Sequence, residues 1–318
     1  MQDASGKAVT LTQTGSYFAN VGEMTIAADG TITTKLIPTH EGMDAGIAAM
    51  QTSWVNTVDD MLGEKIAVGD SDFYVSDPAT GKRRIRSAET NLGDFVADGI
   101  YTYFNEVEKL HCDVAIMNGG GIRADVPAGD WTFKTCKQVS PFGNVACLMS
   151  VTGKQIQDAL EFAARFAGED GKENGGFLQV AGATYEIHTD IPNTVQTDEK
   201  NVWIGSATGT PRVQNVKIYD KASGSYLPLD PGATYALAGM NYTLRNLGDG
   251  FAMFDGAELI KDYVSEDYLV MSTYAMTFDG ADAAGLPHLS SANSPLAAYP
   301  GYLLNYEQPY GAGRITIL

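Results

Sequence analysis

Two hydrophobic periods alternate along this chain, and their order limits the folds it can adopt. Residues 8–36 alternate apolar and polar side chains around a turn at 28–30, which predicts three short antiparallel strands. Residues 43–63 instead place apolar side chains three or four positions apart, as on one face of an amphipathic helix. Strand and helix patterns then follow one another without a strict βαβ repeat, which indicates a mixed α+β fold rather than a doubly wound sheet.

Later elements are predicted from the same periods and from capping residues. A helix over 91–110 would begin after Thr90, whose hydroxyl suits an N-cap. Another would begin after Thr152, where Gln155 completes a capping box, and a last helix is predicted over 265–276. The predicted strands cover residues 113–117, 178–189, 202–206, 213–219 and 233–239.

Charge and cysteine content bear on the class of partner. The formal net charge is −18, which argues against a nucleic-acid polymer, because binding one requires many Lys and Arg against phosphates. A small anion needs only two or three arginines and stays possible. Cys112, Cys136 and Cys147 form no CxxC, so the sequence predicts neither a disulfide framework nor a zinc site. Buried free thiols are favoured, while a Cys136–Cys147 pair is left open.

Metal ligands and targeting segments are not evident either. The four histidines lack HxH, HExxH or DxH spacing, so we predict no metal site and no cofactor in this chain. No segment approaches the roughly 20 apolar residues of a membrane helix. The opening MQDASGKAVT lacks the basic and apolar regions of a signal peptide and enters a strand-like pattern, so we interpret it as trimmed.

Two segments have the composition of an anion site. The run NGGGIR at 118–123 follows a predicted strand, and its glycines would let backbone N–H groups approach an anion closely. Arg123 adds a bidentate donor suited to phosphate. The one basic cluster of this acidic chain, KRRIR, lies at 82–86. Taken alone, the first segment is more often a tight turn, and the second is more often a solvated surface loop.

Two aromatic residues lie in turn-like sequence, where a large ring must pack or bind. Phe142 is in SPFGNV, and Tyr242 precedes a glycine-rich loop that carries Asp249. Two such rings can stack on both faces of a nucleobase, and a carboxylate can accept hydrogen bonds from ribose hydroxyls. Each aromatic residue by itself is more often part of a core.

Six motifs in one order give the strongest indication of function. They are NLGDFVADGI at 91–100, NGGGIR at 118–123, SPFGNV at 140–145, GGFLQVAG at 175–182, MNY at 240–242 and GDGF at 248–251. Together they resemble the C-terminal domain of the 5′-nucleotidase family, which includes ecto-5′-nucleotidases, bacterial UDP-sugar hydrolases and 2′,3′-cyclic nucleotide phosphodiesterases. The resemblance covers about residues 84–318.

This resemblance implies a division of the chain. Residues 1–40 resemble the last strands of the family's N-terminal metallophosphatase domain, 41–75 the interdomain helix and connector, and 76–318 the substrate-binding domain. In the family, the N-terminal domain holds two divalent metal ions and hydrolyses the substrate. Its ligands and His–Asp dyad would lie upstream of residue 1, so we expect this chain to bind nucleotides without hydrolysing them.

The resemblance also assigns substrate-binding residues, and no catalytic or metal-binding ones. They are Lys82, Arg86 and Arg123 for the phosphates; Asn118, Asn144 and Gly175 for the base pocket; Phe142 and Tyr242 for stacking; and Asp249 for the ribose. The family has seven positions from its second stacking aromatic through GGD, whereas Tyr242 to Asp249 takes eight, with Leu247 replacing a glycine. Either the loop absorbs this extra residue or Tyr242 is displaced from the site.

The leading hypothesis is therefore the nucleotide-binding domain of a secreted or surface-attached bacterial 5′-nucleotidase, whose partner is its own metallophosphatase domain. One alternative is a parent enzyme for cyclic nucleotides, UDP-sugars or a sulfur compound. Another is a stand-alone nucleotide-binding or adhesion module, which the strands at 8–36 disfavour. The sequence leaves open the base, the number of phosphates and the oligomeric state.

Overall fold

The computed structural model describes residues 1–39, 42–169 and 171–318. It divides into two compact units, Met1–Thr57 and Val58–Leu318, called unit 1 and unit 2 below. Of the predicted domain boundaries, the one at residues 40 and 41 lies outside the described residues. The one at residues 75 and 76 stays a prediction. The elements described next confirm the predicted mixed α+β class.

Unit 1 contains one β-hairpin instead of the three predicted strands. β1 (Asn20–Ile26) pairs antiparallel with β2 (Ile32–Pro38), so that Ile26 lies opposite Ile32. The prediction of a third strand is wrong: residues 9–19 contain no strand, and Tyr17 and Phe18, in a turn there, have positive φ angles of 54° and 55°. A left-handed backbone at two successive residues interrupts an extended run, whatever the side-chain pattern.

The helix predicted at 43–63 is confirmed as α1 (Ala45–Leu62), which runs across the boundary between the units. The Asp44 carboxylate accepts hydrogen bonds from the backbone N–H groups of Gly46 and Ile47 at its start. Gly63 ends the helix by donating its N–H to the Asp59 carbonyl. None of the helical residues is buried.

Unit 2 carries the remaining strands and helices. Its strands are β3 (Lys65–Gly69), β4 (Val114–Asn118), β5 (Gly129–Thr132), β6 (Ala146–Thr152), β7 (Leu178–Ala181), β8 (Ala183–Ile187), β9 (Gln196–Thr197), β10 (Trp203–Gly205), β11 (Val213–Asp220), β12 (Ser225–Pro228), β13 (Thr234–Met240), β14 (Glu258–Lys261), β15 (His288–Leu289) and β16 (Ile315–Ile317). Its helices are α2 (Asn91–Thr102), α3 (Phe133–Val139), α4 (Gly153–Ala163), α5 (Asn241–Leu244) and α6 (Asp267–Ala275).

A five-stranded mixed sheet, ordered β14-β6-β13-β4-β7, lies at the centre of unit 2. Only β13 and β4 run parallel in it. All five residues of β4 are buried, with Ala115 and Met117 in one core cluster and Val114 and Ile116 in the other. A strand covered on both faces reads as a continuous apolar run, which explains the sequence DVAIM.

The helix starts predicted from capping residues are confirmed. The Thr90 hydroxyl accepts a hydrogen bond from Gly93 N–H, and Thr152 and Gln155 form the predicted capping box. As an α-helix, α2 ends at Thr102 and continues as a π-helical turn over Tyr103–Val107. No helix in the described ranges is both long and apolar enough to cross a membrane.

The three cysteines are buried free thiols, as predicted. Burial raises the pKa of Cys136 and of Cys147 to about 12, so both thiols stay protonated at neutral pH. Cys136 lies in α3 and Cys147 in β6, and no disulfide joins them.

A buried polar network attaches the C-terminal segment to α2. The Glu89 carboxylate accepts hydrogen bonds from the backbone N–H groups of residues 313–315. Asp98 accepts hydrogen bonds of 2.7 Å from Arg314 and from the Tyr302 and Tyr306 hydroxyls. Buried charges require such hydrogen-bond partners. These bonds therefore hold in place the segment before α2, and this segment also carries Arg86.

Candidate functional site

A cavity of about 310 Å³ opens where the carboxyl end of β4 meets four loops of unit 2. Seven of the nine predicted binding residues line it, together with two glycines of the NGGGIR turn. The lining residues are Arg86, Asn118, Gly120, Gly121, Phe142, Asn144, Gly175, Tyr242 and Asp249. Arg123 lies beside Phe142 at 5.7 Å from its ring centroid, whereas Lys82 lines a separate cavity of about 550 Å³.

The glycines after β4 allow three backbone segments to meet. A Cβ atom on Gly119 would lie 2.2 Å from the Ile85 carbonyl oxygen, and one on Gly120 would lie 3.0 Å from that of Gly175. The N–H groups of Gly119 and Gly120 donate to the Phe177 and Gly175 carbonyls. These two N–H groups therefore join neighbouring loops and are not available to an anion, while anion binding elsewhere in the turn stays a prediction.

Arg86 is presented by the loop that precedes α2, and Gln179 of β7 holds that loop. The fully buried Gln179 amide donates hydrogen bonds to the carbonyls of Ile85 at 3.0 Å and Ala88 at 2.9 Å. Arg86 Nε has no hydrogen-bond partner within the part of the chain that the structure describes. Burial lowers the pKa of Arg86, and the positive charges of Arg83 and Arg123 lower it further.

Asp249, which lines the same cavity, accepts two hydrogen bonds. The Tyr242 hydroxyl donates to its Oδ1 at 3.0 Å, and the Asn118 amide donates to its Oδ2 at 3.1 Å. Burial and the negative charge of Asp249 raise the pKa of Tyr242, which keeps its hydroxyl a donor. The carboxylate thus has a defined orientation and retains lone pairs for further donors.

The extra residue between Tyr242 and Asp249 does not move Tyr242 out of the cavity. Leu247 and Asp249 both take a left-handed backbone with φ 56°, which shortens the path of the loop. Gly248 lies directly against the Tyr242 ring, because a Cβ atom there would be 2.5 Å from Tyr242 Cζ. One face of the ring is therefore covered by backbone, and Tyr242 still lines the cavity.

The two aromatic rings of the cavity are unusually accessible for their type. Phe142 is 59% exposed and Tyr242 is 36% exposed, while nearby Phe251 and Phe254 are buried in the core. Accessible rings on one cavity can stack on a planar ligand. The guanidinium group of Arg123 lies over the Phe142 ring and so adds positive charge beside this aromatic surface.

The cavity therefore joins groups of different chemistry. Arg86, the hydrogen-bonded Asp249 carboxylate and two aromatic rings line the same space, and the Arg123 guanidinium group lies beside one of these rings. This arrangement suits a ligand with an anionic group, a planar ring and hydroxyls. No three His, Cys, Asp or Glu side chains among residues 1–39, 42–169 and 171–318 come together as a metal site requires.

Two residues near the cavity were missed from the sequence. Gln179 lies inside the motif GGFLQVAG, and a polar residue in an apolar strand was a signal that could have identified it. Glu173 precedes that motif, and its Oε2 lies 3.6 Å from Arg86 Nη1. Nothing in the local sequence pattern indicated that Glu173 would lie close to Arg86.

Comparisons with known proteins identify the family of this chain. A family model described as the 5′-nucleotidase C-terminal domain matches residues 67–256. The trifunctional nucleotide phosphoesterase protein YfkN of Bacillus subtilis is 31% identical over 272 residues, which cover 82% of this chain and 16% of that protein. Protein UshA of Escherichia coli is 26% identical over 194 residues, covering 58% of this chain and 28% of UshA.

A structural comparison gives the same fold. The crystal structure of a 5′-nucleotidase precursor from Thermus thermophilus aligns with a TM-score of 0.64 and 23% identity. That alignment covers 100% of this chain and 54% of the Thermus chain. The chain thus spans well under two thirds of the length of the relatives it matches.

Proposed function

The chain belongs to the family of 5′-nucleotidase C-terminal domains, and we propose that it binds the nucleotide substrate of a metal-dependent 5′-nucleotidase. The observation that carries this proposal is the cavity in which Arg86, Asp249 and two accessible aromatic rings face the same space. A nucleotide has the matching anionic, hydroxylated and planar parts.

Each part of the ligand has a proposed partner. Arg86 and Arg123 hold the phosphate, since a guanidinium group matches phosphate oxygens bidentately. Phe142 and Tyr242 stack on the base. Asp249 accepts hydrogen bonds from ribose hydroxyls, and the Tyr242 hydroxyl and the Asn118 amide keep its carboxylate in place. Asn118, Asn144 and Gly175 line the space around the base.

Binding and positioning, rather than bond cleavage, are the roles proposed for this chain. In the parent enzyme, two divalent metal ions held by a metallophosphatase domain would activate the attacking water. We derive no metal-dependent step from this chain's residues, because the described ones form no ligand set. The parent is proposed to be a bacterial protein of the cell surface, periplasm or extracellular space, as the family resemblance implies.

Calorimetry with paired ligands tests the proposal. The 318-residue chain is titrated with 5′-AMP and 5′-UMP and with the corresponding nucleosides. Arg86→Ala is expected to weaken nucleotide binding by about 1.5–3 kcal/mol, the value of a hydrogen bond to a charged group, and to leave nucleosides unchanged. Tyr242→Ala should weaken both ligand types by about 1–3 kcal/mol through lost stacking.

Arg245→Ala is the matched control, because Arg245 is a partly exposed arginine paired with Asp262 outside the cavity. Lys82→Ala decides whether Lys82 contributes, since it lines a different cavity. If Arg86→Ala weakened the binding of nucleotides and nucleosides equally, the proposed role of Arg86 in holding the phosphate would be refuted. Metal-dependent release of phosphate from AMP by the purified chain would refute the proposal that this chain binds the nucleotide without hydrolysing it.

A further inference from the structure

The Arg86 guanidinium has an acidic neighbour that the nucleotide site does not account for. Glu173 Oε2 lies 3.6 Å from Arg86 Nη1 and 3.9 Å from Arg83 Nη1. Both distances exceed those of a charge-assisted hydrogen bond, which are about 2.7–2.9 Å. Within the described residues, Glu173 is the one carboxylate within 4.0 Å of the Arg86 guanidinium group.

The backbone keeps this carboxylate close to Arg86. Asn174, the next residue, donates its N–H to the Arg86 carbonyl at 3.1 Å. The Asn174 side chain donates to the Ala163 carbonyl at 2.7 Å, which attaches the segment to the end of α4. Glu173 thus starts from a fixed position, whereas its own side chain is about half exposed and free to change rotamer.

A phosphate that binds Arg86 must compete with the Glu173 carboxylate for the same guanidinium group. Phosphate oxygens can form two short parallel hydrogen bonds with a guanidinium group, so they bind more strongly than one carboxylate oxygen at 3.6 Å. Two anions on one guanidinium group repel each other. Glu173 can instead stay with Arg83, because both residues line the neighbouring cavity that Arg86 does not line.

We propose that Glu173 is a built-in competitor for the ligand phosphate: it pairs with both Arg86 and Arg83 when no nucleotide is bound, and stays with Arg83 alone when one binds. This inference rests on the proposed phosphate role of Arg86. Its consequence is that nucleotides bind less tightly than they would to an unopposed Arg86, whereas nucleoside affinity is unaffected. A dianionic phosphate displaces the carboxylate, while a neutral nucleoside leaves the Glu173–Arg86 pair intact and gains nothing from Arg86.

Glu173→Gln tests the proposal, since it removes the charge and keeps the size of the side chain. Calorimetry on the 318-residue chain should show affinity for 5′-AMP and 5′-UMP raised about three- to tenfold, as expected for one unit charge removed near a partly screened site. Affinity for adenosine and uridine should not change. The gain should shrink in about 1 M NaCl, where the Debye length is roughly 3 Å.

Glu169→Gln is the matched control, because Glu169 lines the same neighbouring cavity but pairs with Lys172 at 2.5 Å. It should leave all affinities unchanged. If Glu173→Gln fails to fold, Glu173→Asp withdraws the carboxylate by one methylene and should give a smaller gain.

The outcomes separate the two proposals. Unchanged or weaker nucleotide binding by Glu173→Gln, in a chain whose wild type binds nucleotides, overturns the role of Glu173 and leaves the proposed function standing. An equal gain for nucleosides also overturns it, because the effect would then not act through phosphate. A wild-type chain that binds neither nucleotide refutes the proposed function and this inference with it.

Discussion

Trp54 and Trp131 show how differently the two units of this chain are stabilised. Trp54, on α1 in unit 1, is 64% exposed, whereas Trp131, on β5 in unit 2, is 0% exposed. The contrast extends to whole elements. No residue of β1, β2 or α1 is buried, while every residue of β4 and α2 is. Regular hydrogen bonding therefore occurs in both units, but extensive burial occurs in one.

The comparison shows that secondary structure and core formation have separate causes here. The hairpin and α1 follow from local hydrogen bonds and periodicity, although side chains such as Met24, Ile26 and Trp54 stay exposed. Apolar surface of this kind usually marks an interaction site. In line with the family resemblance, we propose that it packs against the rest of the metallophosphatase domain in the parent enzyme.

The largest expected effect is a difference in the free energy of unfolding between variants of the two tryptophans. Trp131→Ala should lower the free energy of unfolding by about 3–5 kcal/mol, because it leaves a cavity in the aromatic core formed with Phe73 and Phe95. Trp54→Ala should change it by less than about 0.5 kcal/mol, as an exposed substitution does. Urea unfolding followed by circular dichroism measures both. Similar losses for the two variants would mean that α1 is as tightly packed as unit 2.

A smaller effect, which depends on pH, should arise from a buried carboxylate of unit 2. Burial raises the pKa of Asp267 from 3.8 to about 6, against the hydrogen bonds it accepts from the Asn144 and Tyr268 N–H groups. Folding therefore favours the protonated carboxyl. The stability that this group contributes is present below about pH 4 and is lost as pH rises through about 6.

The side chain of the Asp267→Asn variant cannot ionise, so the variant should not lose stability as the pH rises through about 6. Between pH 4 and pH 7, the stability of the wild type should fall by about 1–2 kcal/mol relative to the variant, after allowance for solvent screening. Glu258→Gln is the control, because Glu258 is an exposed carboxylate on the edge strand β14. Parallel pH profiles for wild type and Asp267→Asn would contradict the raised pKa.

The smallest effect is expected from deletion of the hairpin. A chain that starts at residue 44 keeps α1 and all of unit 2. Its main unfolding transition should stay within about 2 °C of that of the full chain, since no residue of β1 or β2 is buried. Its affinity for 5′-AMP should stay within about twofold. A fall of more than about 5 °C in differential scanning calorimetry would show that unit 2 depends on the hairpin.

Much of the fold could be predicted from short-range patterns. The caps at Thr90 and Thr152 were identified from side chains that bond to N–H groups three residues further along. α1 was predicted from its periodicity, and β4 from a run of apolar residues before glycines. The strand predicted within 8–19 was wrong because alternation does not reveal the backbone reversals at Tyr17 and Phe18.

The candidate site was partly predictable for a different reason. Its motifs resemble those of a known family, and seven of the nine assigned residues line one cavity, although their roles in binding stay predictions. Lys82 lies in another cavity, and Arg123 reaches the site beside Phe142. Four positions separate Lys82 from Arg86, yet the loop directs their side chains into different spaces.

What the sequence by itself determined was local: where helices begin, where the strand at 113–117 lies, and which glycines follow it. Only the tertiary structure decided which distant groups meet. Asn118 and Asp249 are 131 residues apart and share a hydrogen bond, and Gln179 supports the Arg86 loop from 94 residues away. Local order depends on hydrogen bonds within a few residues, which a sequence displays directly. Contacts between distant residues depend on how sheets and loops pack, because packing selects one arrangement from many that the same pattern allows.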